Sequence, residues 1–197
     1  MDLVRVDRVS DPEMIKYFNE KLKNKSSEMS QIKSRIASDT IDSSLYTQLQ
    51  YFSKWEPSII HLATSCKSLQ NPAEISKRLN ISEDQVYETL NFLLDRNLVT
   101  KSPSGNYLHN GKSLHLGKDE LLHPIFQKAR RELGIQKLNE SRSEFDLRFS
   151  SAFTTSKKHQ ADFRERLLHL IDNFHKELSE TESQEVTMLI VDFFQIS

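Results

Sequence analysis

Apolar residues recur at helical spacing in two adjacent stretches near the middle of the chain. Ala73, Ile75 and Leu79 follow Asn71-Pro72, and Val86, Leu90, Leu93 and Leu94 follow Ser82. Asparagine suits an N-cap and proline the first helical position, so a short helix is predicted over Pro72 to Leu79. Asn80-Ile81-Ser82 then forms a turn. Ser82 caps a second, longer helix over 82–96, with Gln85 three residues on to complete a glutamine-type capping box. Asn97-Leu98-Val99-Thr100 leads into a strand, Pro103-Ser104-Gly105-Asn106 makes a hairpin tip, and Tyr107-Leu108 returns. Helix, turn, longer helix and hairpin, in that order, describe a helix-turn-helix with a trailing wing. Two further helices precede it, Leu45 to Lys54 and one opening at Glu56-Pro57 and running to about Cys66.

The flanks carry different patterns. Met14, Phe18, Leu22, Met29, Ile32 and Ile36 lie at helical spacing before a polar linker over Asp39 to Ser44. The last segment reads helix, strand, helix, strand. Leu121 to Leu133 is the first helix, and Phe145, Leu147, Phe149, Ser151 and Phe153 alternate with polar residues over Glu144 to Thr154. Lys157 to Leu178 carries a stripe of Phe163, Leu167, Leu170, Ile171, Phe174 and Leu178, and Glu185 to Ser197 forms the final strand. The chain is thus expected to be mainly α with a small β component (α+β). It divides into an N-terminal helical arm and linker (1–44), a winged helix-turn-helix (45–114) and a C-terminal α-β-α-β domain (115–197).

The two C-terminal strands differ. Asp146, Arg148 and Ser150 give the first a polar face, so half exposure is expected. Val186-Thr187-Met188-Leu189-Ile190-Val191 is apolar on both faces, which predicts cover on both sides. That cover can come from the winged-helix module, from a second copy of the chain, or instead from the neighbouring helix Leu121 to Leu133. With the unmatched N-terminal stripe, this points to a twofold homodimer, the commonest closed assembly. The rival is a monomer in which the stripe packs on its own winged helix and Leu121 to Leu133 covers the sheet.

Tyr51-Phe52-Ser53-Lys54-Trp55, a following proline, the winged helix, the amphipathic helix and an ending in Asp192-Phe193-Phe194-Gln195-Ile196-Ser197 together resemble an uncharacterised bacterial paralogous family. That family is expanded in some predatory and fibre-degrading bacteria and is often labelled a transcriptional regulator. The resemblance spans about 45–197 and implies a regulator-like architecture with no catalytic residues to carry over. Two departures stand out. The family's terminal strand has the form Asn-Ile-Gln-Leu-Phe-Pro-Leu, of which only Phe194 lines up here, and its additional N-terminal helix-turn-helix finds no match in the first 45 residues.

Composition narrows the chemistry. A chain of 197 residues supports one large or two small cores. Its charged fraction is 28% and its formal net charge −1, so no global field draws it to nucleic acid or anionic lipid. The single cysteine, Cys66, excludes an internal disulfide framework and fits a cytoplasmic setting; near a helix end it reads as a small buried residue. No apolar run approaches a membrane span, and Met1 to Glu13 does not read as a signal peptide. His61, His109, His115, His123, His159, His169 and His175 form no i,i+4 pair and none neighbours Cys66. No phosphate-binding glycine loop or nucleophile elbow is present. The expectation is a non-enzymatic protein without catalytic residues, metal or cofactor.

DNA reading by the second helix is weighed by charge. With Val86 and Leu90 inward, Asp84, Glu88, Asn91, Phe92 and Asp95 face outward. Three of those five are acidic and would repel the phosphates that supply most non-specific affinity. Over Gln50 to Gly117 seven Lys and Arg oppose six Asp and Glu, a net of +1, short of a basic footprint. The candidate DNA contacts are Lys77, Arg78, Gln85, Lys101 and Lys112. The candidate protein-docking residues are Asp84, Glu88, Phe92 and Asp95, because an aromatic anchor in a polar rim is how interfaces are built. Against this, Phe92 can fold onto the wing or the C-terminal segment, and the charges can be a solvated face. A further basic group, Lys157, Lys158, Arg164 and Arg166 with Lys128, Arg130 and Arg131, reads as surface ion pairing with Glu132, Asp162 and Glu165. The expected role is regulation through an unknown protein partner, with sequence-specific DNA binding as the alternative.

Overall fold

A computed structural model describes residues 44–114, 122–140, 143–178 and 181–196. The stripe from Met14 to Ile36 and the first 43 residues as a whole lie outside them. The described residues form a mainly helical structure with one small antiparallel sheet. Helix α1 spans Leu45–Phe52, α2 Glu56–Ala63, a 3-10 turn Lys67–Leu69, α3 Pro72–Leu79 and α4 Glu83–Asp95. Strands β1 (Val99–Lys101) and β2 (Tyr107–His109) follow, then α5 (Leu122–Leu138) and α6 (Lys157–Leu178).

The ends of α3 and α4 show why the sequence breaks where it does. The Asn71 side chain accepts from the Ala73 amide at 2.9 Å, one residue beyond Pro72. Ser82 accepts from the Gln85 amide while Gln85 Oε1 accepts from the Ser82 amide, so the capping box is complete. Both helices end through an asparagine in the left-handed region, Asn80 (φ 56°) and Asn97 (φ 58°). The Ile81 amide then bonds Ser76 O, and the Leu98 amide bonds Leu93 O. These wrap-around bonds satisfy last-turn carbonyls that would otherwise be orphaned. Ser82→Ala removes the acceptor and is expected to cost about 1 kcal/mol of stability; equilibrium denaturation checks this, and no loss would mean the box is idle.

Helices α2 and α3 pack on α4, and β1 follows directly onto the same core. Val99 pairs with His109, Thr100 with Leu108 and Lys101 with Tyr107. Gly105 (φ 87°) makes the hairpin tip possible. The outer edge of β2 is tied to the preceding loop, with the Tyr107 amide on Gln70 O at 2.8 Å and the His109 amide on Thr64 O at 3.3 Å. Ile60, Ile75, Val86, Leu90, Leu93 and Leu98 form the centre of the core, and Leu122 and Phe126 of α5 close it. Leu94 does not belong there. It is 36% exposed, because a step of roughly 100° per residue puts Leu93 within about 20° of Val86 and Leu94 about 80° away.

The two expected C-terminal strands are corrected. Residues 144–145 form a turn, 146–154 and 182–196 adopt no regular secondary structure, and neither segment joins a ladder; among the described residues β1 and β2 are the sheet. Alternating side chains favour an extended backbone, and pairing also needs a neighbouring strand within reach. The first segment is exposed on its apolar face as well as its polar one, against the half exposure expected. The second is covered on one face. Val186, Met188 and Ile190 are half-buried, whereas Thr187, Leu189 and Val191 are exposed.

That second segment works as a strap. Val186 and Met188 pack with Trp55, Ile59 and Leu133, alongside Leu79 and Ile81. Gly134 of α5 lets Ile190 come close, since a Cβ there would meet its Cδ1 at 3.1 Å. Arg131 grips Asp192 with two guanidinium nitrogens. Phe193 lies edge-on to Phe163, ring centroids 5.2 Å apart, and near Phe153 at 6.5 Å. Helix α6 starts and ends where its pattern predicts. Its buried residues are Leu168 and Asp172, beside rather than on the predicted stripe, and Asp172 accepts from Lys176 at 2.9 Å.

Candidate interaction surface

The outer face of α4 carries Asp84, Glu88 and Asp95, all exposed as the sequence predicts. Phe92 departs from that expectation. It is half-buried against the core, with the Arg96 guanidinium 5.7 Å above its ring. Arg96 is held in turn by donating to Thr47 Oγ1 at 3.2 Å, so α1 lies along this flank of α4. The surface therefore presents carboxylates around a covered aromatic, with no projecting anchor at Phe92.

The expected DNA-contacting residues are dispersed. Lys77 and Arg78 are exposed on the last turn of α3, and Arg78 donates to Glu185 of the strap at 2.7 Å. Gln85 has its side-chain oxygen committed to the Ser82 cap. Lys101 on β1 stands 5.1 Å over the Tyr107 ring, and Lys112 is half-buried beyond β2. Lys67 donates to Glu182 at 2.7 Å, which raises the lysine pKa and lowers that of the carboxyl. Lys67 in the 3-10 turn before α3 and Arg78 in the last turn of α3 are thus both matched by strap carboxylates.

Behind this surface lies a buried polar latch that the sequence did not single out. His61 of α2 sits between the Tyr51 hydroxyl, 2.8 Å from Nδ1, and the Leu98 carbonyl, 3.1 Å from Nε2. A carbonyl only accepts, so Nε2 carries the proton and Nδ1 accepts from the tyrosine. His109 of β2 stacks on the imidazole at 4.4 Å. Burial, then the neighbouring His109, lower the His61 pKa to about 3, while its hydrogen bond to Leu98 opposes them. Burial likewise raises that of Tyr51. A neutral histidine thereby ties α1, α2 and the start of the hairpin. Cys66 is buried, as expected, and its thiol is pushed up by burial and by Glu185.

Arg130 also differs from its expected surface pairing. Its guanidinium lies 4.3 Å from the Phe126 centroid and 3.5 Å from Ser58 Oγ, and its Nε is buried without a hydrogen-bond partner. Burial lowers its pKa. Lys128 does approach Glu132, at 4.0 Å. Among the described residues no three His, Cys, Asp or Glu gather to hold a metal, and no helix is long and apolar enough to cross a membrane.

What the geometry defines is a mainly helical α+β unit, sealed by a hairpin and a C-terminal strap, with an acidic helix face. The chain belongs to the family described as a domain of unknown function, DUF4423, whose model matches residues 23–196. The match takes in residues 144–154 and 182–196 and α6 with the helical core. No curated protein matches the chain. No solved structure matches it either.

Proposed function

We infer that the chain is a non-enzymatic, regulator-like winged-helix protein of bacterial gene regulation or a regulatory complex, acting at least partly through protein contacts. The carrying observation is the exposed acidic face of α4, Asp84, Glu88 and Asp95, on the helix that would otherwise enter the major groove. The pairing of Arg78 and Lys67 with strap carboxylates supports the same reading, since cations matched by carboxylates release fewer counterions from DNA. α3, the turn, α4 and the β1–β2 hairpin have the order of a winged helix, and the cytoplasm suits the buried free cysteine.

Direct operator binding by helix 82–96 and the wing is the second reading, favoured by exposed Lys101 at the hairpin. Fluorescence anisotropy on duplex DNA, titrated with salt, separates the two. Glu88→Gln with Asp95→Asn, and Lys101→Ala with Lys112→Ala, are each expected to leave weak duplex binding unchanged. A crosslinked pull-down from native lysate is expected to recover protein that nuclease treatment does not release. A nanomolar operator complex lost with the two wing lysines, its salt slope reduced by ~1–2 units, would reverse this ranking.

A further inference from the structure

Residues 182–196 carry three acidic residues, Glu182, Glu185 and Asp192, and no lysine or arginine. Each carboxylate meets a cation from a different element of the body: Lys67 of the 3-10 turn, Arg78 of α3 and Arg131 of α5. Between Glu185 and Asp192, Val186, Met188 and Ile190 are half-buried while Thr187, Leu189 and Val191 are exposed, so cover alternates with a period of two. An apolar row flanked by carboxylates thus lies in a bed with an apolar floor, Trp55, Ile59 and Leu133, and a cationic rim.

The strap is gripped in the manner of a bound peptide. No backbone-to-backbone hydrogen bond joins residues 182–196 to other described residues, whereas β2 is tied to the preceding loop through two of its amides. No residue of the strap is buried. Its three ion pairs reach water, so they hold it weakly and are screened by salt. The floor beneath is buried with the strap in place. Lifting the strap uncovers that floor together with three unmatched cations, a surface suited to an acidic segment with apolar side chains.

We propose that the strap is a displaceable occupant of this bed, and that the bed docks a segment of a partner protein with the same chemistry: alternate apolar residues between carboxylates that meet Lys67, Arg78 and Arg131. This deepens the protein-contact reading above and rests on it, while using a surface other than the acidic face of α4. Floor and rim together set the specificity. Seating a bare polyanion such as a nucleic-acid backbone on the apolar floor costs its hydration, and the rim repels an apolar segment that carries lysine or arginine. Tethered behind α6, the strap competes at an effective concentration on the order of millimolar. A segment in trans therefore needs a tighter fit than the strap, or a weakened strap.

The test uses the full chain and a labelled synthetic peptide with the sequence of residues 182–196. Trp55 is the single tryptophan and reports on the cover from within the bed. Val186→Asp with Met188→Asp removes the apolar grip of the strap. Cooperative unfolding is expected to persist, with Trp55 emission shifted to the red and its quenching by acrylamide increased. The loosened chain should bind the peptide at least roughly tenfold more tightly than the unaltered chain, because the tethered competitor is gone. Glu182→Gln, Glu185→Gln and Asp192→Asn, which keep the apolar row, should give a smaller gain in the same direction. Arg78→Glu in the loosened chain should weaken the peptide, and a peptide with Glu185→Lys should restore it, the mark of a direct pair. Equal affinity for the unaltered and loosened chains overturns the proposal, as does loss of cooperative unfolding in both strap variants. A mass of twice 23.0 kDa for the unaltered chain, falling to 23.0 kDa on loosening, would make the occupant the strap of a second copy and overturn it too. So would a DNA duplex that binds the loosened chain and displaces the peptide. If the peptide fails while the nuclease-resistant partner is still recovered from lysate, this proposal falls alone. A bound peptide with no partner recovered supports the bed and counts against the broader reading.

Discussion

Leu90→Ala is expected to destabilise the fold by on the order of 2–5 kcal/mol, the range for a fully buried leucine. Leu90 is 0% exposed and sits in the same cluster as Val86, Leu93, Ile75 and Ile60. Truncation leaves a cavity at the junction of α2, α3 and α4, where three helices limit collapse. The companion Leu94→Ala, at a position 36% exposed, should cost less than about 1 kcal/mol. Chemical denaturation of the two variants side by side fixes the rotation of α4. Equal losses would mean the helix is turned relative to the core, and the placement of Asp84, Glu88 and Asp95 on its outer face would fall with it.

Acid should weaken the fold through His61. Its pKa is lowered to about 3 in the folded chain, against an ordinary 6.5. In that window the unfolded chain binds a proton that the folded chain refuses. The stabilisation is therefore fully present above about pH 6.5 and is lost progressively toward pH 3, by about tenfold in the folding equilibrium per pH unit. The nearby titratable groups are His109, stacked on the ring, and Tyr51, which stays protonated throughout. His61→Gln keeps a donor and an acceptor without a titrating group. Its unfolding at pH 5 should take up about one proton fewer than that of the unaltered protein. Parallel stability–pH curves for the two proteins would show that His61 is not the group responsible.

Local grammar was readable wherever a residue acts on its own neighbours. Asn71-Pro72, the Ser82–Gln85 box and the turn at Asn80 specify their helix ends through bonds spanning two to five residues. The bounds of α6 follow from its 3.6-residue rhythm. Features that depend on distant groups were not readable. Period-two alternation over 144–154 and the apolar run within 185–196 suggest strands, but nothing in either names a partner strand. A lone histidine in an apolar helix reads as core, and only the fold brings Tyr51, Leu98 and His109 around His61. Arg130 lies in a run of cations that suggests solvent, yet its place on α5 turns it onto Phe126. Phe92 reads as outward from helix phase alone, and its length lets it reach back to the core once Arg96 and α1 flank it.

The strap's contacts also carry a kinetic meaning. Lys67 to Glu182 closes 115 residues and Arg78 to Glu185 closes 107, whereas the caps and the hairpin close loops of a few residues each. Loop entropy grows only as the logarithm of length, about 0.6 kcal/mol per doubling, but contacts of high sequence separation are the slow ones to form. The cluster of α2, α3, α4 and the hairpin can assemble from contacts within its own stretch, and residues 182–196 are the last of the described chain to leave the ribosome. The strap thus arrives on a surface already made. It is held there by exposed ion pairs and one row of half-buried side chains, which makes it the seam along which the native chain opens first, ahead of any global unfolding.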